Sequence, residues 1–269
     1  MLETDTLLQQ IDSNCDLSLL DELFTKDKLY QQLLLDDRVF FRSMLLYPEY
    51  ASSLLHKLYC DTQDVNLIDF ILLTEDFKLA NNMINSIDDK DTQLMKRGCL
   101  YLEQDNYTEA ISCFKQVILE NPTLPDKYVD AYDGLSLCCS FIGQPVLAKR
   151  YYLVSTKCRM HNKDLFIRGM FKTQLVKAAY FIEMEQFSAA ESTYQIARRS
   201  VKSVYGEYCV YLGIIDLYYG SLMLKMQNMQ KASEYFINAY SILNYSLGTD
   251  NKYTKECVNY LALCMKNAI

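Results

Sequence analysis

The side chains that could carry out acid-base, nucleophilic or metal chemistry are few and widely separated. The chain of 269 residues has two histidines, His56 and His161, and neither has a Cys or His at metal-ligand spacing. His161 is predicted to lie in a polar link formed by residues 159–163. The adjacent Cys138 and Cys139 would point about 100° apart on a helix, which does not suit joint ligation. No Gly-rich phosphate-binding loop occurs.

Paired carboxylates are the remaining candidates for catalysis. Asp36 is followed by Asp37, and Asp88 by Asp89, and two carboxylates can act together as general acid and base. Adjacent acids at helix boundaries serve more often as caps and solvating groups. The sequence therefore predicts a protein that is not an enzyme, with no cofactor and no metal.

The charge and composition of the chain indicate which classes of partner and which cellular compartment to expect. The net charge of −7 and the pI near 5.0 argue against nucleic-acid binding, and the cluster of Arg198, Arg199 and Lys202 is interpreted as a solvated helix end. No apolar run approaches the roughly 20 residues that span a bilayer, and residues 1–5 lack the features of an export signal. We expect a cytoplasmic or nuclear protein that is not secreted and does not bind a membrane.

Ten cysteines are scattered without paired spacing, which indicates a reducing compartment. Six of them fall in helical patterns and are predicted to be small core residues. These are Cys99, Cys113, Cys138, Cys209, Cys257 and Cys264.

An internal repeat is the strongest feature of the chain. The best unit has Leu94, Gly98 and Tyr101, then Ala110, Phe114 and Pro122, at the spacing of a helix-turn-helix repeat. The pair of an alanine and an aromatic residue four positions later recurs at Ala148/Tyr152, Ala190/Tyr194 and Ala232/Phe236. The anchoring alanines thus advance by 38, 42 and 42 residues.

Each unit is predicted to be a helical hairpin that buries its apolar face only by stacking on its neighbours. In the best unit we expect helices at about 92–104 and 108–119, with Gly98 allowing their close approach. With 8 Gly and 4 Pro, the composition favours long helices and short loops. The predicted fold is an all-α solenoid of stacked antiparallel helix pairs.

The predicted domains are a helical N-terminal cap, residues 1–60, and a repeat array, residues 61–269. The cap could bind a second partner. The predicted array comprises a degenerate unit at 61–90, units at 91–124, 125–162, 171–204 and 213–246, and a capping helix at 254–266.

These residues resemble the tetratricopeptide repeat (TPR) family from about Val65 to Lys266, and the 42-residue spacing is similar to the longer repeats of kinesin light chains. The resemblance implies that a peptide or a helix of a partner binds the concave face formed by the first helices. Helical spacing places twelve residues on that face. These are Met95, Cys99, Leu102, Asp130, Asp133, Leu137, Lys172, Leu175, Ala179, Ile214, Leu217 and Ser221.

The partner is expected to be a basic or amphipathic protein segment. Family members that capture heat-shock chaperone tails use Lys, Asn and Arg where this chain has Met95, Cys99, Asp130 and Asp133, so chaperone tails are not the expected ligand. Asp130 and Asp133 would favour a basic segment. Alternatively, these two acids only solvate the start of their helix.

The sequence predicts a non-catalytic adaptor or scaffold, and two alternatives remain open. The chain could be an obligate structural subunit of a larger complex whose convex face is also buried. It could also be a regulatory domain whose curvature changes when a peptide binds.

Overall fold

The computed structural model describes residues 51–120, 128–161, 163–205 and 209–266. Within these residues the chain forms twelve α-helices and no strand. The helices are α1 (Ala51–Thr62), α2 (Leu67–Leu73), α3 (Phe77–Asn85), α4 (Lys90–Glu103), α5 (Tyr107–Glu120), α6 (Val129–Phe141), α7 (Pro145–His161), α8 (Lys163–Glu183), α9 (Phe187–Tyr205), α10 (Val210–Lys225), α11 (Met229–Leu247) and α12 (Lys252–Lys266).

Consecutive helices form five antiparallel pairs, from α2/α3 to α10/α11, and α12 follows the last pair. The predicted all-α solenoid is confirmed, and the helices of the best unit lie within two residues of their predicted bounds. Pro122 of the best unit and the first 50 residues of the N-terminal cap lie outside the described residues. The division into domains stays a prediction, and α1 crosses the proposed boundary at residue 60.

The turn inside each pair repeats the same backbone geometry. The residue five positions before the anchoring alanine has a positive φ in all five pairs: Glu75, Asp105, Gly143, Glu185 and Gln227. In the last four pairs the next backbone N–H donates to the carbonyl five residues earlier, as from Asn106 to Tyr101. This bond satisfies a carbonyl that the end of the first helix leaves unpaired.

The anchoring alanines fix how the second helix of each pair begins. Ala80, Ala110, Ala148, Ala190 and Ala232 are all fully buried. The backbone N–H of each donates to the carbonyl four residues earlier, where its helix starts. A side chain no larger than a methyl group at these points lets the two helices of a pair approach closely.

Aromatic rings pack between helices at positions where the facing residue is a glycine and leaves space for the ring. A Cβ at Gly98 would lie 2.5 Å from Phe114, and a Cβ at Gly134 would lie 2.4 Å from the other edge of that ring. Phe114 is fully buried and therefore packs between α4 of its own pair and α6 of the next. The predicted role of Gly98 in close helix packing is confirmed.

The start of the last helix contacts the first pairs and so closes the array. Asn251 donates from Nδ2 to the carbonyl oxygen of Leu73 at 2.8 Å, and the Tyr253 hydroxyl donates to Glu103 at 2.8 Å. The start of α12 therefore contacts the ends of α2 and α4. One hydrophobic core cluster accordingly includes residues from Leu55 to Leu100 together with residues from Ala178 to Cys264.

We predict that Gly134→Ala lowers the free energy of unfolding by about 1–2 kcal/mol. Overpacking costs about 1–3 kcal/mol and is offset in part by the better helix propensity of alanine. Urea unfolding followed by circular dichroism measures the change. Ser112→Ala, at an exposed site on α5, is the control and should change stability by less than about 0.5 kcal/mol. Equal stability of Gly134→Ala and wild type would contradict the packing of Phe114 described above.

Candidate functional site

The first helices of successive pairs surround a central cavity of about 410 Å³. Its wall is formed by α2, α4, α6, α8, α10 and α12. Because each helix contributes residues three or four positions apart, the wall divides into layers along the helix axes. A charged floor lies near the starts of α2 and α6, an apolar layer lies in the middle, and an acidic rim lies near the end of α4.

Eleven of the twelve residues predicted on the concave face line this cavity. They are Met95, Cys99, Leu102, Asp130, Asp133, Leu137, Lys172, Leu175, Ala179, Ile214 and Ser221. Their role in binding a partner stays a prediction.

The prediction for Leu217 was wrong, because this side chain is fully buried in the hydrophobic core and does not line the cavity. Tyr218 reaches the cavity in its place, between Ile214 and Ser221. On a helix, a residue three positions after Ile214 and one four positions after it both lie close to the same side. Helical periodicity alone therefore could not decide between Leu217 and Tyr218.

The charged floor contains acidic and basic side chains that compensate one another. The Lys96 ammonium group is buried and lies 2.8 Å from Asp69 Oδ1, while Lys172 Nζ lies 3.8 Å from Asp69 Oδ2. Burial alone would lower the pKa of Lys172, but the charges of Asp130 and Asp69 outweigh it and raise that pKa above its usual value. The floor therefore carries little net charge toward a ligand.

Arg159 holds the two aspartates that were predicted on the concave face. It lies on α7, yet its side chain is only 2% exposed. Its Nη2 donates to Asp130 Oδ1 at 2.8 Å and to Asp133 Oδ2 at 2.6 Å, and its Nε donates to Thr173 Oγ1 of α8 at 2.7 Å. One guanidinium thus joins α6, α7 and α8.

The structure corrects three predictions made from the sequence. Asp130 and Asp133 do not merely solvate a helix start, and because Arg159 compensates them they do not by themselves favour a basic ligand. The proposed polar link at 159–163 is wrong for its first part, because α7 continues to His161. Arg198 is not a simple solvated helix end, because it pairs with the buried Asp216.

The apolar layer lies above the floor. Leu72, Cys99, Leu137, Leu175 and Ile214 contribute one side chain each from five different helices. Burial raises the pKa of the Cys99 thiol to about 12, so this cysteine is a neutral, compact wall residue at physiological pH. Of the other predicted core cysteines, Cys138, Cys209, Cys257 and Cys264 are buried and Cys113 is half-buried.

The acidic rim consists of Glu103, Asp105, Glu183 and Glu256, which line the cavity together with one cation, Lys252. Lys252 Nζ lies 2.9 Å from Glu103 Oε2, which leaves three carboxylates in excess. Burial raises the pKa of Glu256 above its usual value, although a hydrogen bond with Tyr260 and the charge of Lys252 act in the opposite direction. The rim therefore presents a negative potential to anything that enters the cavity.

Aromatic and polar side chains accompany the acidic rim. Tyr218, Tyr253 and Tyr260 line the same part of the wall, and Phe141 stacks on Tyr107 with ring centroids 5.2 Å apart. Aromatic faces attract cations, so they act in the same direction as the carboxylates.

Ser140 also lines the cavity, and its hydroxyl oxygen is buried without a hydrogen-bond partner. Such a group gains from a ligand that supplies a polar atom. Among the described residues, no group of three or more His, Cys, Asp or Glu is arranged to hold a metal ion.

Proteins of known structure share this architecture. The chain is similar to a protein in the Cut9-Hcn1 hetero-tetramer of APC/C, with a TM-score of 0.62 and 15% identity over 93% of this chain and 46% of that one. It is also similar to a STAND signal-transduction ATPase with a tetratricopeptide repeat sensor from Pyrococcus horikoshii. There the TM-score is 0.57 and the identity 14%, over 89% of this chain and 40% of that one.

These likenesses show a fold of the TPR type. The chain spans less than half the length of either of these two proteins. No protein-family model matches the chain, and no curated protein matches it in sequence.

We predict that Arg159→Met lowers the free energy of unfolding by about 3–5 kcal/mol, because it leaves the buried Asp133 carboxylate uncompensated. Arg150→Met, on the exposed side of the same helix, is the control, with an expected change of less than about 0.5 kcal/mol. Chemical unfolding measures both. Adding Asp133→Asn to Arg159→Met should recover part of the loss, and a further loss instead would show that Arg159 acts by packing alone.

Stability at acidic pH should depend on Asp130. Burial alone would raise the pKa of Asp130, but Lys172 and Arg159 outweigh burial and hold it at about 2, against about 3.9 in an unfolded chain. The unfolded state therefore binds more protons between these values, and this contribution to stability is lost as the pH falls from about 4 to about 2. Unfolding of Asp130→Asn at several pH values should show a weaker acid dependence than wild type. The exposed Asp88→Asn should keep the full dependence.

Proposed function

We propose that the chain is a non-catalytic adaptor that binds a short basic and partly apolar segment of a partner protein in the central cavity. The observation that carries this proposal is the acidic rim with its tyrosines directly adjoining the apolar layer. A lysine or arginine at the rim would meet carboxylates and aromatic faces, while neighbouring apolar side chains would enter among Leu137, Leu175 and Ile214.

The size of the cavity favours a peptide over a helix as the ligand. Its volume of about 410 Å³ lies toward the lower end of the roughly 300–1,000 Å³ of ligand pockets. A helix with its side chains is about 10–12 Å across, so an extended segment that inserts a few side chains fits this space better.

The charge distribution favours a cation at the rim only. The cavity wall carries seven carboxylates and three lysines. At the floor, Asp69, Asp130 and Asp133 are compensated by Lys96, Lys172 and Arg159, so the uncompensated charge lies at the rim. This excess supports a basic ligand and argues against the acidic tails of chaperones.

The closure of the array favours a preformed site over a regulatory domain that changes curvature. Asn251, Lys252 and Tyr253 bond to Leu73, Glu75 and Glu103, which fixes one edge of the cavity before any ligand enters. A preformed site avoids the entropic cost of ordering the wall when the ligand binds.

We expect an eight-residue peptide of alternating leucine and arginine to bind the chain, and a peptide of alternating leucine and glutamate to bind at least about tenfold more weakly. Fluorescence anisotropy of the labelled peptides measures both affinities. Asp105→Asn combined with Glu256→Gln should weaken binding of the basic peptide about fivefold to tenfold, since both carboxylates line the cavity.

The matched control is Asp88→Asn combined with Glu109→Gln, which removes the same charges at exposed sites outside the cavity. It should leave the affinity within about twofold of wild type. Equal binding of the two peptides, or equal loss in both double variants, would refute the proposed site. Proximity labelling with the full chain would then identify the natural partner.

A further inference from the structure

The outer face of α7 carries an apolar stripe flanked by basic side chains. Val146, Leu153 and Met160 are 67%, 50% and 71% exposed and lie seven residues apart, so they line up along one side of the helix. Lys149 lies beside this stripe on one side, and Arg150 and Lys157 lie on the other. All three basic residues are exposed.

No comparable surface occurs on the second helices of the neighbouring pairs in the described part of the chain. Among the residues of α9 whose exposure the structure describes, the outer face carries Ser188, Ser192 and Ser203, and its exposed large apolar residue is Ile196. Helix α7 contains five basic residues, counting His161, and no acidic one, in a chain with a net charge of −7. Among the second helices of these neighbouring pairs, exposed basic and apolar side chains therefore occur together on α7.

We propose that the outer face of α7 docks an acidic amphipathic helix of a partner protein. Apolar residues spaced by seven match the seam along which two helices pack, and charges beside such a seam select the partner by ion pairing. A partner helix with glutamates or aspartates flanking its own apolar stripe would meet Lys149, Arg150 and Lys157.

The same features argue against two other occupants. A second copy of this chain would bring two basic faces together, and like charges at an interface repel. Helices that lie on membranes present a broad apolar face with Trp or Phe, whereas the α7 stripe is one residue wide and contains neither.

This docking face lies outside the central cavity, so it does not depend on the function proposed above. The probe is a designed amphipathic peptide of about 21 residues, with leucines in heptad positions a and d and glutamates in e and g. Its matched counterpart has lysines in e and g. Anisotropy with the full chain should show binding of the acidic peptide and at least about tenfold weaker binding of the basic one.

The test variant is Lys149→Glu combined with Arg150→Glu and Lys157→Glu. The control variant reverses three exposed charges on the other second helices, Lys115→Glu, Arg199→Glu and Lys231→Glu, and so reaches the same net charge. The acidic peptide should lose at least about tenfold in affinity for the α7 variant and less than about threefold for the control. The leucine-arginine peptide should bind the α7 variant as it binds wild type.

Four results would overturn the proposal. The first three are a failure of the acidic peptide to bind wild type at about 100 µM, an equal loss of affinity in both variants, and tighter binding to vesicles containing phosphatidylserine than to the peptide. A change in peptide affinity upon deletion of residues 1–50 would instead assign the face to the chain's own N-terminal segment, and would also overturn it.

Discussion

The packing of aromatic rings against helix positions without a side chain sets the spacing between helices at two places in the array. Phe114 lies between Gly98 and Gly134, and Phe236 lies against Gly220 with Tyr260 stacked on it at 4.8 Å. Each ring fixes the distance between one pair and the first helix of the next. Each helix pair is rotated slightly relative to the pair before it, and these rotations add up along the array. The array therefore curves until the start of α12 reaches the ends of α2 and α4. The cavity at the centre is a consequence of this curvature.

Local sequence patterns predicted the helices and their pairing because the information lies within each repeat. An alanine, an aromatic residue four positions later and a turn before them suffice to place a hairpin. The closure could not be predicted in this way, because Asn251 and Leu73 are 178 residues apart and neither residue belongs to the repeat pattern. The positive φ at Asp105, Glu185 and Gln227 was also missed, although their constant position five residues before the alanine was visible in the sequence.

The sequence predicted one part of the candidate site and missed another, because helical periodicity locates only residues on the inner side of a first helix. Helical phase alone places a residue on the inner side of a first helix, and this succeeded for eleven of twelve positions. The acidic rim lies at helix ends and on α12. Asp105 lies beyond the end of α4 and so has no helical phase, and an acid in the last turn such as Glu103 resembles an ordinary solvating residue. Arg159 was missed because it belongs to a second helix, and only the superhelical stacking brings its long side chain between Asp130 and Asp133.

Helix α7 lies between the central cavity and the proposed docking face on its own outer side. Its rigidity therefore decides whether a ligand at one of these sites can change affinity at the other. Its Arg159 side chain points inward to the cavity wall, while Arg150 lies on the exposed side of the same helix. Two sites on a rigid scaffold bind independently unless an element between them has two arrangements that each ligand favours differently. The guanidinium of Arg159 joins α6, α7 and α8 through short hydrogen bonds, and moving it would leave a buried carboxylate unpaired. This cost disfavours a second arrangement, so we expect the two proposed sites to bind their ligands independently of each other.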